Sequence, residues 1–482
     1  MAKEEKDNLG VTATREEDFS KWYLEVVRKG DFIDQRSPVK GFDVITPWGY
    51  AIWEMIGDIF DSEIKKNGVK NAYFPLFIPE SLLKKEEEHF SGFKAETAMV
   101  TEVGNEKLNE RLAVRPTSET IMYYMYSLWI RSHQDLPLKI NQWNNIVRWD
   151  TKVTKPFIRG REFLWQEGHT AHATKEDAIE QVNKCAEMYQ KVYDASAMAA
   201  LKLVRPKSDT FAGAEFTLVF DTLVQDGRVV QGPGDHMLGQ NFSKPFNIVF
   251  TDKDSQKKHV WQTSWGMSTR QIGILIMHHG DDKGAIIPPE IAPVQVVIIP
   301  IIFKGKEKKI YEKAREIEEE LKKKGIRAHI DDRDYSAGFK YNYWELRGVP
   351  LRIEIGPKDL ENASVTMVKR NDGTKHNIKF LNTVAEVKKF LKEIQEEMHA
   401  KSKKFLKDNI KDAKTMDELK KIKFGFGRTN WCGSGECENW IKADTGGAEV
   451  RGTLYEKEEK VFGKCVKCDK DAKFVVYVAK AY

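Results

Sequence analysis

The strongest constraint on the fold lies in residues 144–169, where NNIVRWD is followed by a short polar loop and then REFLWQEGH. The first piece leaves Arg148 at the end of an apolar run, and Lys152, Lys155 and Arg159 occupy the loop. The returning piece carries Phe163, Trp165 and Glu167 at alternate positions. Side chains two residues apart lie on the same face of a strand. The spacing therefore predicts two antiparallel strands joined by a basic loop, with a guanidinium, aromatic rings and a carboxylate on one surface. Such a set suits a bound nucleotide: arginine for phosphate, phenylalanine for a stacked base, an acid for an amine. A surface hairpin with ordinary charges is the plainer reading of the same residues.

The remaining composition sets wide limits. At 482 residues the chain has room for roughly two to four domains of ~100–200 residues each. With 78 basic against 73 acidic residues, the net charge of +5 permits an RNA or nucleotide partner without requiring one. The first residues, MAKEEKDNLG, have no apolar core of the kind a secretory signal carries. The most apolar run, VQVVIIPIIF, is shorter than the ~20 residues of a membrane helix and is broken by Pro300. A soluble cytoplasmic protein with no membrane contact is expected. Five cysteines are too few for a disulfide scaffold.

Residues 1–288 mix helix-like and strand-like segments without regular alternation. Helices are predicted at 16–29 and from 47 to about 67, where Gly68 stops the second, and strands at NAYFPLFIP, FTLVFDTLV, GRVVQG and HVWQTSW. This pattern suits an antiparallel α+β domain. IIPPEIAP then reads as a linker. Across 289–400, strand and helix patterns alternate strictly, as in an α/β domain with a largely parallel sheet. Residues 401–482 start as a lysine-rich connector to 423 and end in a Gly/Cys segment and the strand KFVVYVAKAY.

Four shorter constellations carry chemistry. In RPTSE, Thr117 or Ser118 is placed to cap a helix; alternatively, the Thr117 hydroxyl and Glu119 carboxylate grip a small ammonium group. In GPGDHMLGQNF the glycines mark tight turns or a close ligand approach, with His236 either a ligand contact or a satisfied loop histidine. In TSWGMSTRQIG, Arg270 stands at a strand–helix junction with Gly266 and Ser268 before it, as a phosphate contact or the partner of a neighbouring acid. Cys432 and Cys437 have four residues between them, and Cys465 and Cys468 have two. Those pairs fit a closed, structural thiolate zinc site, the alternatives being redox disulfides or chance clustering. Cys185 reads as a packing residue.

Taken together the segments resemble the class II aminoacyl-tRNA synthetases, and within them the prolyl-tRNA synthetase family of the archaeal and eukaryotic type. GVKNAYFPLF is similar to motif 1, with Pro75 at a dimer interface; VRWD with REFLWQE is similar to motif 2, and WGMSTRQIG to motif 3. RPTSE resembles the family's proline-binding loop, and the four cysteines and terminal Tyr482 match the same branch. The resemblance implies an antiparallel-sheet catalytic domain (1–288), an α/β anticodon-binding domain (289–400) and a small zinc-containing α+β domain (401–482), without a bacterial editing insertion. It implies a homodimer that joins L-proline to tRNA(Pro) in two steps through prolyl-adenylate, using ATP and Mg²⁺ and holding structural Zn²⁺.

The roles implied are specific. Arg148 binds the α-phosphate, Arg159 the outer phosphates and Arg270 the γ-phosphate, while Phe163 stacks on adenine with Arg270 against its other face. Gln231 and Ser268 contact the nucleotide. Asp150, aimed at the adenine amine, stands where the motif usually has glutamate, one methylene longer. Thr117 and Glu119 hold the proline nitrogen; Arg148, Trp165, Glu167, Phe211, His236, Ser264 and Gly266 shape the rest of that pocket. Tyr482 either packs on the final strand or reaches back toward the catalytic pocket. The competing readings are a synthetase of the same class for threonine, serine, glycine or histidine, and a non-catalytic tRNA-binding protein on the same fold. A zinc hydrolase is disfavoured because the chain has no HExxH or comparable open site.

Overall fold

The computed structural model describes residues 10–87, 97–149, 151–302 and 307–482. Its centre is a sheet of eleven strands. In spatial order these are Ile410–Asp412, Phe426–Trp431, Phe474–Ala479, Glu449–Leu454, Leu201–Val204, Phe216–Leu223, Val229–Gly239, Trp261–Ser268, Glu162–His172, Leu138–Val147 and Lys70–Asn71. Neighbours run antiparallel except at the two edges, where Lys70–Asn71 and Ile410–Asp412 each lie parallel to the adjacent strand. The hairpin expected at 144–169 is Leu138–Val147 paired with Glu162–His172, Asn144 opposite Trp165.

One face of this sheet is closed by helix Lys175–Ala195. Thr174 caps it by accepting the Asp177 N–H at 3.1 Å, and Glu176 and Asp177 complement the dipole in its first turn. Ala178, Val182, Cys185, Tyr189 and Val192 recur every three or four residues and are buried against the strands. Helix Pro47–Lys66 packs outside it, with Phe60 stacked on Tyr189 at 4.8 Å and 6°. Residues alternating along the strands divide accordingly. Gln166 turns inward to donate to the Tyr189 hydroxyl at 2.6 Å. Phe163, Trp165 and Glu167 take the uncovered face.

Beyond the proline-rich linker, strands Ala328–Ile330, Val296–Pro300 and Leu351–Ile355 are parallel, with helices Glu307–Lys323 and Ala337–Arg347 in the crossovers. The sheet is mixed rather than largely parallel, because Ser364–Lys369 and Lys375–Lys379 add an antiparallel hairpin. Gly373, at φ +73°, makes the turn between them. Two other sequence expectations change. NAYFPLFIP is not one strand but the short pieces Lys70–Asn71 and Phe77–Pro79, since Pro75 between them has no N–H to pair. The lysine-rich connector from 401 begins as the last eight residues of one helix, Thr383–Asp408. Its buried stripe of Val387, Phe390, Leu391, Ile394, Met398, Ser402 and Leu406 continues under a lysine-covered surface. Among the described residues no helix is long and apolar enough to cross a membrane.

The C-terminal region does not stand apart: Thr453 and Leu454 pair with Val204 and Leu203, so its strands extend the central sheet. Gly452 makes this seam possible. It has φ +130°, and a Cβ there would lie 2.1 Å from the Val204 carbonyl oxygen. Gly452→Ala should therefore destabilise the protein by about 3 kcal/mol, through backbone strain and overpacking together. The midpoint of chemical unfolding reports this, and an unchanged midpoint would show that the seam yields without cost.

Candidate active site

The uncovered face of the sheet carries a cleft of about 290 Å³. That is near the lower end of the roughly 300–1,000 Å³ usual for ligand sites. Thr117, Glu119, Arg148, Phe163, Trp165, Glu167, Phe211, Gln231, His236, Ser264, Gly266, Ser268 and Arg270 all line it. Arg159 joins from a contiguous hollow under the basic loop, which shares Arg148, Phe163, Ser268 and Arg270 with the main cleft. Asp150 lies outside the described residues.

At one end the cleft is acidic and buried. Glu167, 1% exposed, accepts from the Ser118 hydroxyl, from Asn144 Nδ2 at 2.8 Å, from Gln142 Nε2 at 3.2 Å and from His169 Nε2 at 3.1 Å. Burial alone raises its pKa, but the hydrogen bond and charge of His169, with the Ser118 and Asn144 donors, outweigh this and lower it. His169 responds in the opposite direction: burial pulls it down, and Glu167 and Glu119 lift it above its ordinary value. Ser118 occupies the helix cap position, yet its hydroxyl serves Glu167 instead of capping. The Thr117 hydroxyl donates to Glu119 across two residues, and both are buried beside the cleft.

The opposite end is cationic. Leu138–Val147 ends just before Arg148, whose backbone N–H meets the Arg161 carbonyl at 2.7 Å and whose Nε donates to the Pro116 carbonyl at 3.0 Å. Its guanidinium lies 5.7 Å from the Phe163 ring centre and 5.6 Å from that of Trp165. Arg270 opens the helix that follows Trp261–Ser268, and donates to the carbonyls of Ile158 at 3.1 Å and Gln231 at 3.3 Å. Burial, then the charges of Arg148 and Arg159, draw its pKa down to about 10. Like charges gathered in this way are relieved by an anion.

Between the two ends lies a small, partly apolar chamber. The rings of Phe211 and His236 are 4.6 Å apart, and Thr217 Oγ1 lies 2.9 Å from His236 Nδ1. Burial brings the His236 pKa down to about 3, with His169 and Arg148 adding to the effect, so it is neutral at neutral pH. A Cβ on Gly266 would approach the Trp165 ring to 3.2 Å. Gly232–Gly239 is not the loop its glycines suggested; these residues belong to strand Val229–Gly239, and Gly232 is needed because a Cβ would fall 2.2 Å from the Tyr193 hydroxyl. The Ser264 hydroxyl and Trp165 Nε1 are buried and make no hydrogen bond among the described residues, two polar atoms open to a ligand.

The structure also gathers cleft residues that sequence reasoning missed, namely His169, Arg205, Asp209 and Thr217, and it lines the cleft with Gly232 and Gly234 from the glycine segment read as a turn or a close ligand approach. Continuing the period-two pattern past Glu167 would have found His169, whereas nothing local marks Arg205 or Thr217. Arg205 donates to both Asp221 oxygens, at 3.0 and 2.8 Å, and to Gln231 Oε1 at 2.9 Å.

Two features lie outside the cleft. Cys432 Sγ is 3.7 Å from Cys437 Sγ and 3.8 Å from Cys468 Sγ, and with Cys465 all four sulfurs fall within 4.8 Å of one another. Those separations are far beyond the ~2.05 Å of a disulfide. They match the ~3.8 Å edge of a tetrahedron with Zn–S bonds of ~2.3 Å. Tyr482 packs beneath the basic loop: its ring centre is 4.4 Å from Lys155 Nζ, its N–H donates to the Val229 carbonyl and its hydroxyl to Asp226. Lys155 in turn shares two 2.8 Å backbone hydrogen bonds with Arg159. Burial brings the Lys155 ammonium down to about 8.

Comparison with known proteins agrees with this geometry. Residues 96–279 match the tRNA synthetase class II core domain (G, H, P, S and T), residues 295–390 an anticodon binding domain, and residues 414–482 the prolyl-tRNA synthetase C-terminal domain. The proline–tRNA ligase of Alkaliphilus oremlandii is 45% identical over the whole of both chains. A cytoplasmic proline–tRNA ligase of Arabidopsis thaliana is 43% identical over 98% of this chain and 91% of its own. The crystal structure of prolyl-tRNA synthetase from Cryptosporidium parvum, complexed with halofuginone and AMPPNP, superposes with a TM-score of 0.92. Its identity is 42% over 98% of this chain and all of that one. Full-length identity at this level, on a class II core and with the matching C-terminal domain, means that the chain belongs to the proline–tRNA ligase family.

Proposed function

We propose that the protein activates L-proline with ATP and transfers it to tRNA(Pro). The observation that carries this reading is one cleft with a buried hydroxyl–carboxylate pair, Thr117 and Glu119, at one end and a cluster of arginines at the other. Proline binds with its ring nitrogen, a cation with two N–H donors, toward Thr117 and Glu119. Its ring lies among Trp165, Phe211, His236 and Gly266, and Ser264 supplies a polar contact. ATP lies toward Arg148, Arg159 and Arg270, with its base on Phe163 and with Gln231 and Ser268 beside it.

A proline carboxylate oxygen then attacks the α-phosphorus, its bond forming as the bond to the bridging oxygen of pyrophosphate breaks. Arg148 meets the charge that builds on the α-phosphate, and Arg159 and Arg270 meet that of the departing pyrophosphate. Mg²⁺ would arrive with the nucleotide and would neutralise part of the charge on its phosphates. In the second step the terminal adenosine hydroxyl of tRNA takes the prolyl carbonyl and AMP leaves. No protein nucleophile is needed; the chain positions reactants and supplies preorganised charge. Residues 1–288 perform this chemistry, 289–400 bind the anticodon arm, and 401–482 hold one structural zinc through Cys432, Cys437, Cys465 and Cys468. The enzyme works as a cytoplasmic homodimer. Exposed apolar side chains around motif 1, namely Tyr73, Phe77, Tyr124, Leu128 and Trp129, support a partner surface there.

Pyrophosphate exchange should depend on ATP, Mg²⁺ and L-proline and need no tRNA; faster exchange with threonine or serine would sink the assignment. Elemental analysis should find one zinc per chain, and Cys437→Ser should lose it and lower the melting temperature. Structural zinc contributes an apparent ~10–16 kcal/mol in small peptide sites. Full zinc retention by that variant would remove Cys437 from the site. Tyr482 orders the loop that carries Arg159 by placing its ring on Lys155. Deleting it should slow exchange at least about tenfold while zinc content and melting temperature stay nearly unchanged. Equal exchange rates with and without Tyr482 would reduce the residue to packing.

A further inference from the structure

Arg451, far along the chain in strand Glu449–Leu454, is joined to the cleft by an unbroken series of charge-assisted hydrogen bonds. Its Nε and Nη2 donate to Asp221 Oδ2 at 2.7 Å and Oδ1 at 3.2 Å. The same two oxygens receive Arg205 Nη1 and Nη2, and Arg205 Nη1 also reaches the Arg451 carbonyl at 2.7 Å. Asp221 has no exposure to solvent, and the side chains of Arg205 and Arg451 are 1% and 6% exposed. Both ends of the link come from irregular strand positions. The pairing of Glu449–Leu454 slips at Arg451, between Val450 and Gly452, and that of Phe216–Leu223 slips between Val219 and Asp221. Bulges of this kind re-aim a side chain. The series ends where Arg205 Nη2 donates to Gln231 Oε1 at 2.9 Å. A carboxamide has one oxygen and one NH₂; with the oxygen committed to Arg205, the N–H donors are what Gln231 offers to the cleft.

We propose that Arg451 is a positioning residue for adenylate formation: through Asp221 and Arg205 it fixes the Gln231 amide with its donors toward the nucleotide. The proposal rests on the function given above. Two planar guanidinium forks on one carboxylate leave Asp221 a single orientation, and that orientation sets the angle of Arg205. With Arg451 gone, Asp221 recentres on Arg205 alone, and Asp209, 3.2 Å from Arg205 Nε, competes for the same guanidinium. The amide of Gln231 is then free to rotate. The C-terminal region thus contributes to the active site by a route separate from its cysteines and from Tyr482.

A double-mutant cycle in proline-dependent pyrophosphate exchange tests this on the full-length enzyme: wild type, Arg451→Met, Gln231→Ala and the double variant, with zinc content measured in each. Arg451→Met should lower kcat/KM for ATP about tenfold, and in the Gln231→Ala background it should have almost no further effect, within about twofold. The same loss in both backgrounds would overturn the proposal, as would no loss in the wild-type background. Should Arg451→Met not fold, Arg451→Lys, which keeps the charge but not the fork, goes through the same cycle against the same criteria. Wild-type exchange driven by another amino acid would overturn the proline reading, while the cycle stays measurable with that amino acid.

Discussion

The buried carboxylate of Glu167 is the interaction around which the amino-acid end of the cleft is organised. It draws together elements far apart in sequence: Ser118 at the start of helix Glu119–Trp129, Gln142 and Asn144 from one strand of the hairpin, and His169 from the other. A carboxylate so removed from water is tolerated only because every one of those donors is in place. Tyr123, from the same helix, lies 3.0 Å from His169 Nδ1, and Tyr126 donates to the His169 carbonyl. Loop 115–118 cannot move without breaking this set, and Thr117 and Glu119 are held with it. Glu167 is thus less a ligand contact than the fixture that keeps the contacts where they are.

The other end obeys the opposite rule. Arg115, buried like Glu167, spends its guanidinium on the carbonyls of Phe74 and Asn145, joining the segment after Lys70–Asn71 to the hairpin. Arg148 and Arg270 use Nε in the same manner, on the carbonyls of Pro116 and Ile158. A neutral carbonyl orients a guanidinium without cancelling its charge, and Arg270 is aimed in this way by the carbonyls of Ile158 and Gln231. Preorganised charge of this kind costs no rearrangement when the reaction occurs.

Much of this was legible locally, and the reasons for the exceptions are physical. Alternation in REFLWQE exposed the hairpin and its cleft face, because a strand buried on one side must show period two. Arg270 was legible from a strand pattern giving way to a helix pattern, and the four cysteines from their spacing. The helix Thr383–Asp408 was missed in its last eight residues, 401–408, because a lysine-rich surface hid a sparse stripe ending in Ser402 and Leu406. The stripe is polar at Ser402 because its hydroxyl is used: it accepts from the Ala199 N–H and lies 2.6 Å from His278 Nε2. Asp221 and Arg451 are 230 positions apart, and no pattern along the chain relates them.

That last pair also explains why two regions distinct in the family comparisons, the class II core and the C-terminal domain, form one mechanical unit. The central sheet continues from the cleft strands through Leu201–Val204 into Glu449–Leu454 without an apolar gap. Apolar side chains also pack across this junction, Leu203, Val219 and Val229 with Phe426, Tyr477 and Leu454, but apolar contact is non-directional. A buried Asp221 shared by two guanidiniums tolerates one register only: shifting Glu449–Leu454 by a residue would leave the carboxylate short of one cation and Arg451 buried without its acid. Breaking a buried charge pair of this sort typically costs ~3–5 kcal/mol. Specificity of docking, rather than its strength, is what the charged contact adds. The bulge at Arg451 and the left-handed glycine after it are the backbone features that put the guanidinium there.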